Sequence, residues 1–80
     1  MPQTHKNYPY VQNLIKNNNI EKLEEEKEKI EKIIIEYKTL LKENLTEFSK
    51  NRIEKNIEHE EKLLNYINEN LEKLYKLLKK

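Results

Sequence analysis

Metal chemistry in this chain would have to begin with His59, the only histidine within its long helical segments. A carboxylate-bridged di-iron bundle uses the motif Glu-x-x-His, and a zinc protease helix places a second histidine four residues further on. Asn56 and Leu63 occupy these two positions. We therefore predict no metal site, and we interpret His59 as a solvated surface histidine.

Nucleophilic catalysis has no better candidate. Ser49 is the only serine, and the chain contains no aspartate and no cysteine. A catalytic serine needs a general base that is itself held in place by a third group. No histidine stands near Ser49 in the sequence, so we interpret it as a turn residue. We predict that the protein is not an enzyme, that no residue is catalytic and that it uses no cofactor.

The composition restricts the fold to helices. Glycine and cysteine are both absent, and charged residues make up 39% of the 80 residues. A β architecture with tight turns needs glycine, and a small disulfide scaffold needs cysteine. The frequent Lys, Glu, Asn and Ile also suggest a low-GC genome. The sequence predicts one small all-α domain.

Charge and hydropathy limit the partners. The net charge is only +1, and the chain has a single arginine among its basic residues. Because a dedicated nucleic-acid binder usually presents a field of one sign, we expect no nucleic-acid partner and no salt-dependent binding to a duplex. No apolar run is long enough to span a bilayer, and residues 1–19 have no secretory signal. The expected location is the cytoplasm or the nucleus.

Two apolar stripes with helical spacing predict the architecture. The first stripe consists of Ile20, Leu23, Ile30, Ile34, Tyr37, Leu41 and Phe48, and the second of Ile53, Ile57, Leu64, Ile67, Leu71, Leu74 and Leu78. On one continuous helix the second stripe would lie about 110–120° around from the first. A turn between them lets the stripes meet, and it places Ile34 opposite Ile67. We predict a long antiparallel, coiled-coil-like helical hairpin.

Asparagine capping signals set the predicted boundaries. Asn18 and Asn51 each stand three residues before a glutamate, which is the spacing of a capping box. We therefore predict a hairpin over residues 20–80. Its parts are a helix over 20–48, a turn at 49–51 and a helix over 52–79. Residues 1–19 form an N-terminal arm, either disordered or with a short helix over 9–16 that begins at a proline.

Apolar residues outside the two stripes predict a contact surface. A two-helix hairpin is rarely stable alone, so another surface must complete a three- or four-helix bundle. That surface belongs to the arm, to a second copy or to a foreign protein. The residues that we predict to bind a partner are Tyr8, Tyr10, Leu14, Ile15, Ile35, Tyr66, Tyr75 and Leu77.

Two functions follow from these patterns. The first is a non-enzymatic protein–protein interaction module, a small helical-bundle subunit, adaptor or inhibitor that assembles with itself or with a larger protein. The alternative is a nucleic-acid-associated regulator built as a dimeric helical bundle. Its motivation is the lysine content and the basic segment Lys73–Lys80. The sequence alone does not identify the partner.

Overall fold

The structure, a computed structural model, describes residues 6–79 and contains three helices and no strand within that range. The helices are α1 (Tyr8–Lys16), α2 (Ile20–Leu40) and α3 (Glu47–Leu78). The all-α prediction is confirmed. Residues 1–5 of the predicted arm and the last lysine of the basic segment lie outside the described residues.

Asparagines connect α1 to α2 in the absence of glycine. Asn18 has a φ of 55°, the left-handed conformation that asparagine tolerates better than most residues. Its N–H bonds to the Ile15 carbonyl at 3.0 Å, and the Asn19 N–H bonds to the Leu14 carbonyl at 2.9 Å, which together close α1 with a Schellman motif. Asn19 then caps α2, because its side chain accepts a hydrogen bond from the Lys22 N–H at 3.3 Å.

The predicted turn at residues 49–51 is wrong, because these residues lie inside α3. The break comes earlier, over residues 41–46, and α2 ends at Leu40. Thr46 has an extended backbone, and its Oγ1 accepts a hydrogen bond from the Ser49 N–H at 3.2 Å, so a threonine caps α3 where an asparagine was expected. Near the end of α2, Thr39 bonds to the Ile35 carbonyl at 2.9 Å, a contact that weakens a helix.

The observed cap, Thr46, and the predicted cap, Asn51, can be distinguished by how their substitution changes stability. We expect Thr46→Ala to lower the free energy of unfolding by about 1 kcal/mol, because the first turn of α3 loses its side-chain acceptor. Asn51→Ala is the matched control. It should be neutral or slightly stabilising, since alanine is favoured over asparagine in an exposed helix interior. Urea unfolding of both variants measures the difference, and a larger loss for Asn51→Ala would restore the predicted boundary.

All three helices contribute to one core. The buried apolar side chains are Val11, Leu14, Leu23, Ile30, Ile34, Ile57, Leu63, Ile67, Leu71 and Leu74. A hydrogen bond from the Tyr75 hydroxyl to the Glu24 carboxylate brings the last turns of α3 beside the first turns of α2. Four ion pairs among the described residues each join side chains three or four apart on one helix. These pairs therefore do not hold different helices together. Apolar packing therefore provides the main attraction between the helices.

Two stripe residues lie outside this core. Phe48 is 71% exposed and Leu78 is 70% exposed. For Phe48 the reason is a difference in length, since α3 has 32 residues and α2 only 21. Because Tyr75 fixes the end of α3 near the start of α2, the extra turns of α3 extend past the end of α2 and carry Phe48 with them. Leu63, which the sequence places at the edge of the stripe, is only 2% exposed.

Candidate functional site

The described residues do not form a cluster of acids, histidines or cysteines that could hold a metal ion. His59 is half-buried and lines a shallow open depression on α3 together with Arg52, Lys55 and Asn56. Since all four residues belong to one helix, the depression is a stretch of helix surface. Its character is cationic and polar.

The partner residues predicted on α1 divide into two groups. Leu14 is buried, and Tyr8 and Ile15 are half-buried against the core. Tyr10 remains 46% exposed. Pro9 in the first turn favours this short helix, and its spacing directs Val11 and Leu14 to the same side. Most of the apolar surface of α1 is therefore used within the molecule.

Two predicted partner residues contact each other across α1 and α3. The rings of Tyr8 and Tyr66 stack with their centroids 4.7 Å apart and their planes 29° apart. Stacked aromatic pairs at this distance contribute about 0.5–1.5 kcal/mol beyond the area buried. A hydrogen bond to Tyr66, with a smaller effect of burial, raises the pKa of the Tyr8 hydroxyl above its ordinary value. The contact with Tyr66 therefore positions α1 on the flank of α3.

The remaining predicted residues face solvent. Ile35 is 63% exposed, Leu77 is 62% exposed and Tyr75 is 39% exposed. Sequence reasoning missed Leu40 and Phe48 as exposed residues, although Leu40 is 43% exposed. The stripe pattern assigned Phe48 to the first helix, because it did not indicate that α2 ends as early as Leu40. Ile35 and Leu40 belong to α2, and Phe48, Tyr75 and Leu77 belong to α3.

An acidic surface lies on α2 between its start and Ile35. Glu24, Lys27, Glu28 and Glu31 line a shallow depression, and Ile35 follows Glu31 by one helical turn. The hydrogen bond from Tyr75 to Glu24 at its edge raises the pKa of the tyrosine hydroxyl, with smaller contributions from burial and the carboxylate charge. Tyr75 is therefore held as a neutral donor.

A polar side chain also reaches the interior of the helix assembly. Glu26 on α2 is only 9% exposed, and its carboxylate lies 3.4 Å from the Lys29 ammonium group. The Lys29 side chain is 68% exposed, so the pair is open to solvent on one side. Such pairs contribute little to stability. The arrangement lets a glutamate occupy the edge of the core without an isolated charge.

The comparisons with known proteins found no matching family model, no matching curated protein and no matching solved structure. Within the described residues, no helix is sufficiently long and apolar to cross a membrane.

Proposed function

We propose that the protein is a non-enzymatic protein–protein interaction module, a helical-bundle subunit, adaptor or inhibitor that assembles with itself or with a larger protein. In this proposal α2 and α3 are an antiparallel hairpin, and α1 completes a three-helix core. The observation that carries it is the large apolar side chains left in solvent after α1 has packed, above all Ile35, Phe48 and Leu77.

The side of α2 that carries Ile35 supports the proposal best. At about 100° per residue, Ile35 lies about 140° around the helix from the buried Ile30, so it cannot join the same core. Glu28 and Glu31 precede it on that side. An isolated exposed isoleucine is ordinary, but one beside an acidic depression offers an apolar anchor with a charged rim. A partner for this surface would carry a small apolar pocket and basic residues.

Light scattering of the purified chain over a range of concentrations tests the assembly. We expect a mass above that of the monomer, and we expect Ile35→Lys to reduce it, because a lysine cannot enter an apolar contact without desolvation of its charge. Asn65→Lys is the matched control, since it adds the same charge at an exposed position of α3. Equal masses for both variants and the parent would contradict assembly through Ile35.

If the parent chain is monomeric, the same two variants are tested for binding to a second protein. Binding to any protein partner found should then be weaker for Ile35→Lys than for Asn65→Lys. Partner binding that is unchanged by both substitutions would refute the role of this surface. Circular dichroism of each variant confirms that the helices are intact, because both positions are exposed.

A further inference from the structure

A row of basic side chains runs along one flank of α3. Arg52, Lys55, His59 and Lys62 follow one another at steps of three and four residues, and the same spacing continues through Tyr66 and Glu69 to Lys73. Residues at this spacing share one side of a helix. We name Arg52, Lys55, His59, Lys62, Tyr66 and Lys73 the basic stripe. From Arg52 to Lys73 it extends about 32 Å, at 1.5 Å per residue.

Between Arg52 and Lys73, Glu69 is the one carboxylate at this spacing, and it stands four residues before Lys73. Glu58 stands beside the row, and the other glutamates of α3 lie further around the helix. Glu58 pairs with Lys62 at 3.5 Å, but the two side chains are 64% and 76% exposed. An exposed pair of this kind is weak, so it leaves the lysine available to another anion.

α1 extends this surface without adding acidic residues. Tyr66 of the basic stripe stacks on Tyr8, which places α1 directly against the row. Lys6 and Lys16 are both exposed, and residues 6–19 contain no carboxylate. The flank formed by α1 and α3 therefore presents positive charge, whereas α2 presents the acidic depression of Glu24, Glu28 and Glu31. The net charge of +1 conceals this separation.

We propose that the basic stripe binds the phosphate backbone of a nucleic-acid duplex. Lysines and arginines gathered along one helix are the electrostatic footprint of such binding. The row is about as long as one helical turn of a duplex, so its cations can meet phosphates where the backbone crosses the facing side. Its single arginine offers little bidentate readout of bases, so the contacts hold the backbone and do not select a sequence. This ligand lies beyond the protein–protein function proposed above, and it replaces the expectation from net charge that the chain has no nucleic-acid partner.

The apolar side of α3 argues against a lipid surface as the ligand. A helix that lies on a membrane inserts its apolar side between the acyl chains. The corresponding residues of α3, such as Leu63, Ile67 and Leu74, are already buried against α1 and α2. Between Arg52 and Lys73 the basic stripe itself has no aliphatic side chain that could insert. Charge alone remains, and neutralisation of charge by lysine and arginine is the main source of binding to phosphates.

Two triple variants with equal net charge test the proposal. Lys55→Gln, Lys62→Gln and Lys73→Gln neutralise the stripe, whereas Lys38→Gln, Lys42→Gln and Lys50→Gln neutralise exposed lysines elsewhere. Each set lowers the net charge by three, from +1 to −2. Fluorescence anisotropy with labelled duplex DNA or RNA of about 20 base pairs, in about 50 mM salt, measures binding where phosphate contacts are strong.

The parent chain is expected to bind with an affinity that falls steeply with salt. Four permanent cations on the stripe predict a slope of log K against log salt near −3.6, and loss of three predicts a slope near −0.9. We expect the stripe variant to bind at least about tenfold more weakly than the control variant under the same conditions. Circular dichroism and thermal melting show that both variants are folded, since all six positions are exposed.

Several results would overturn the proposal. One is the absence of duplex binding by the parent chain at low salt. Another is an equal loss in the two triple variants, which would show that only net charge matters. Tighter binding to vesicles that contain phosphatidylserine, or to polyglutamate, would identify a different anionic partner. Because Ile35 lies on α2, Ile35→Lys should leave duplex binding unchanged, so this test and the assembly test fail independently.

Discussion

Ile34→Ala and Ile67→Ala are each expected to lower the free energy of unfolding by about 2–4 kcal/mol. Ile67 is fully buried and Ile34 is only 7% exposed, so each substitution removes packed methyl and methylene groups and leaves a cavity. For a domain of this size the total is about 4–12 kcal/mol. Urea unfolding monitored by circular dichroism measures the change.

Ile35→Ala is the matched control for this prediction. It removes the same atoms from the next position of α2, but Ile35 is 63% exposed, so the expected change is within about 0.5 kcal/mol. A double-mutant cycle between Ile34 and Ile67 also tests their alignment. If the side chains touch, as the stripes predict, their losses should not add. Additive losses would place the two residues in separate parts of the core.

The buried faces of the long helices were predictable because they depend on a periodic pattern. Leu23, Ile30 and Ile34 repeat at steps that return to one side of α2, and Ile67, Leu71 and Leu74 do the same on α3. Such a pattern involves many residues, so single polar interruptions do not destroy it. The positions of the buried side chains in the middle of both helices were accordingly visible in the sequence.

The connection between the long helices was not predictable from the same pattern. Without glycine or proline, no residue between Leu40 and Glu54 forces a break, and several asparagines offer similar caps. Thr46 caps α3 through its hydroxyl, although Asn51 has the better capping-box spacing. The choice depends on small local energies, about 1 kcal/mol for each cap, which tertiary packing easily outweighs. Phe48, which the stripe pattern placed in the core, is consequently exposed to solvent.

The candidate surfaces show a similar contrast. The sequence indicated which residues lie off the stripes, but it did not indicate which of them α1 would cover. Tyr66 and Tyr75 looked alike in the pattern, whereas the first stacks on Tyr8 and the second reaches Glu24. The separation of charge was overlooked for a different reason. Net charge sums the side chains without their positions, so the basic stripe cancelled against the glutamates on the other sides of α3 and on α2.

Removal of residues 1–16 is expected to destabilise the protein more than any single substitution in the core. The truncation takes away Val11 and Leu14, which are 0% and 7% exposed, together with the ring stacked on Tyr66. Two buried aliphatic side chains alone correspond to about 3–6 kcal/mol. The melting temperature should therefore fall sharply, and thermal unfolding followed by circular dichroism measures it.

The assembly of the truncated chain separates two roles for α1. If α1 closes the core, the shortened chain should melt early, yet it should still associate or bind its partner at a temperature where it is folded. If α1 is instead the recognition element, partner binding should disappear while the helical signal persists. We expect the first outcome, since the burial of Val11 leaves little of that side free for a partner. A truncated chain that melts and binds like the full one would refute both roles.

A milder variant keeps the test valid if the truncated chain does not fold. Val11→Ala removes methyl groups from a fully buried position, and Gln12→Ala changes the neighbouring exposed position. The first should lower stability by about 1–3 kcal/mol and the second by less than about 0.5 kcal/mol. Because α1 contacts the core through one side only, this difference depends on its packing against α2 and α3. Equal changes in stability for the two variants would mean that α1 does not stabilise the long helices. Tyr66 would then have to pack against some other surface.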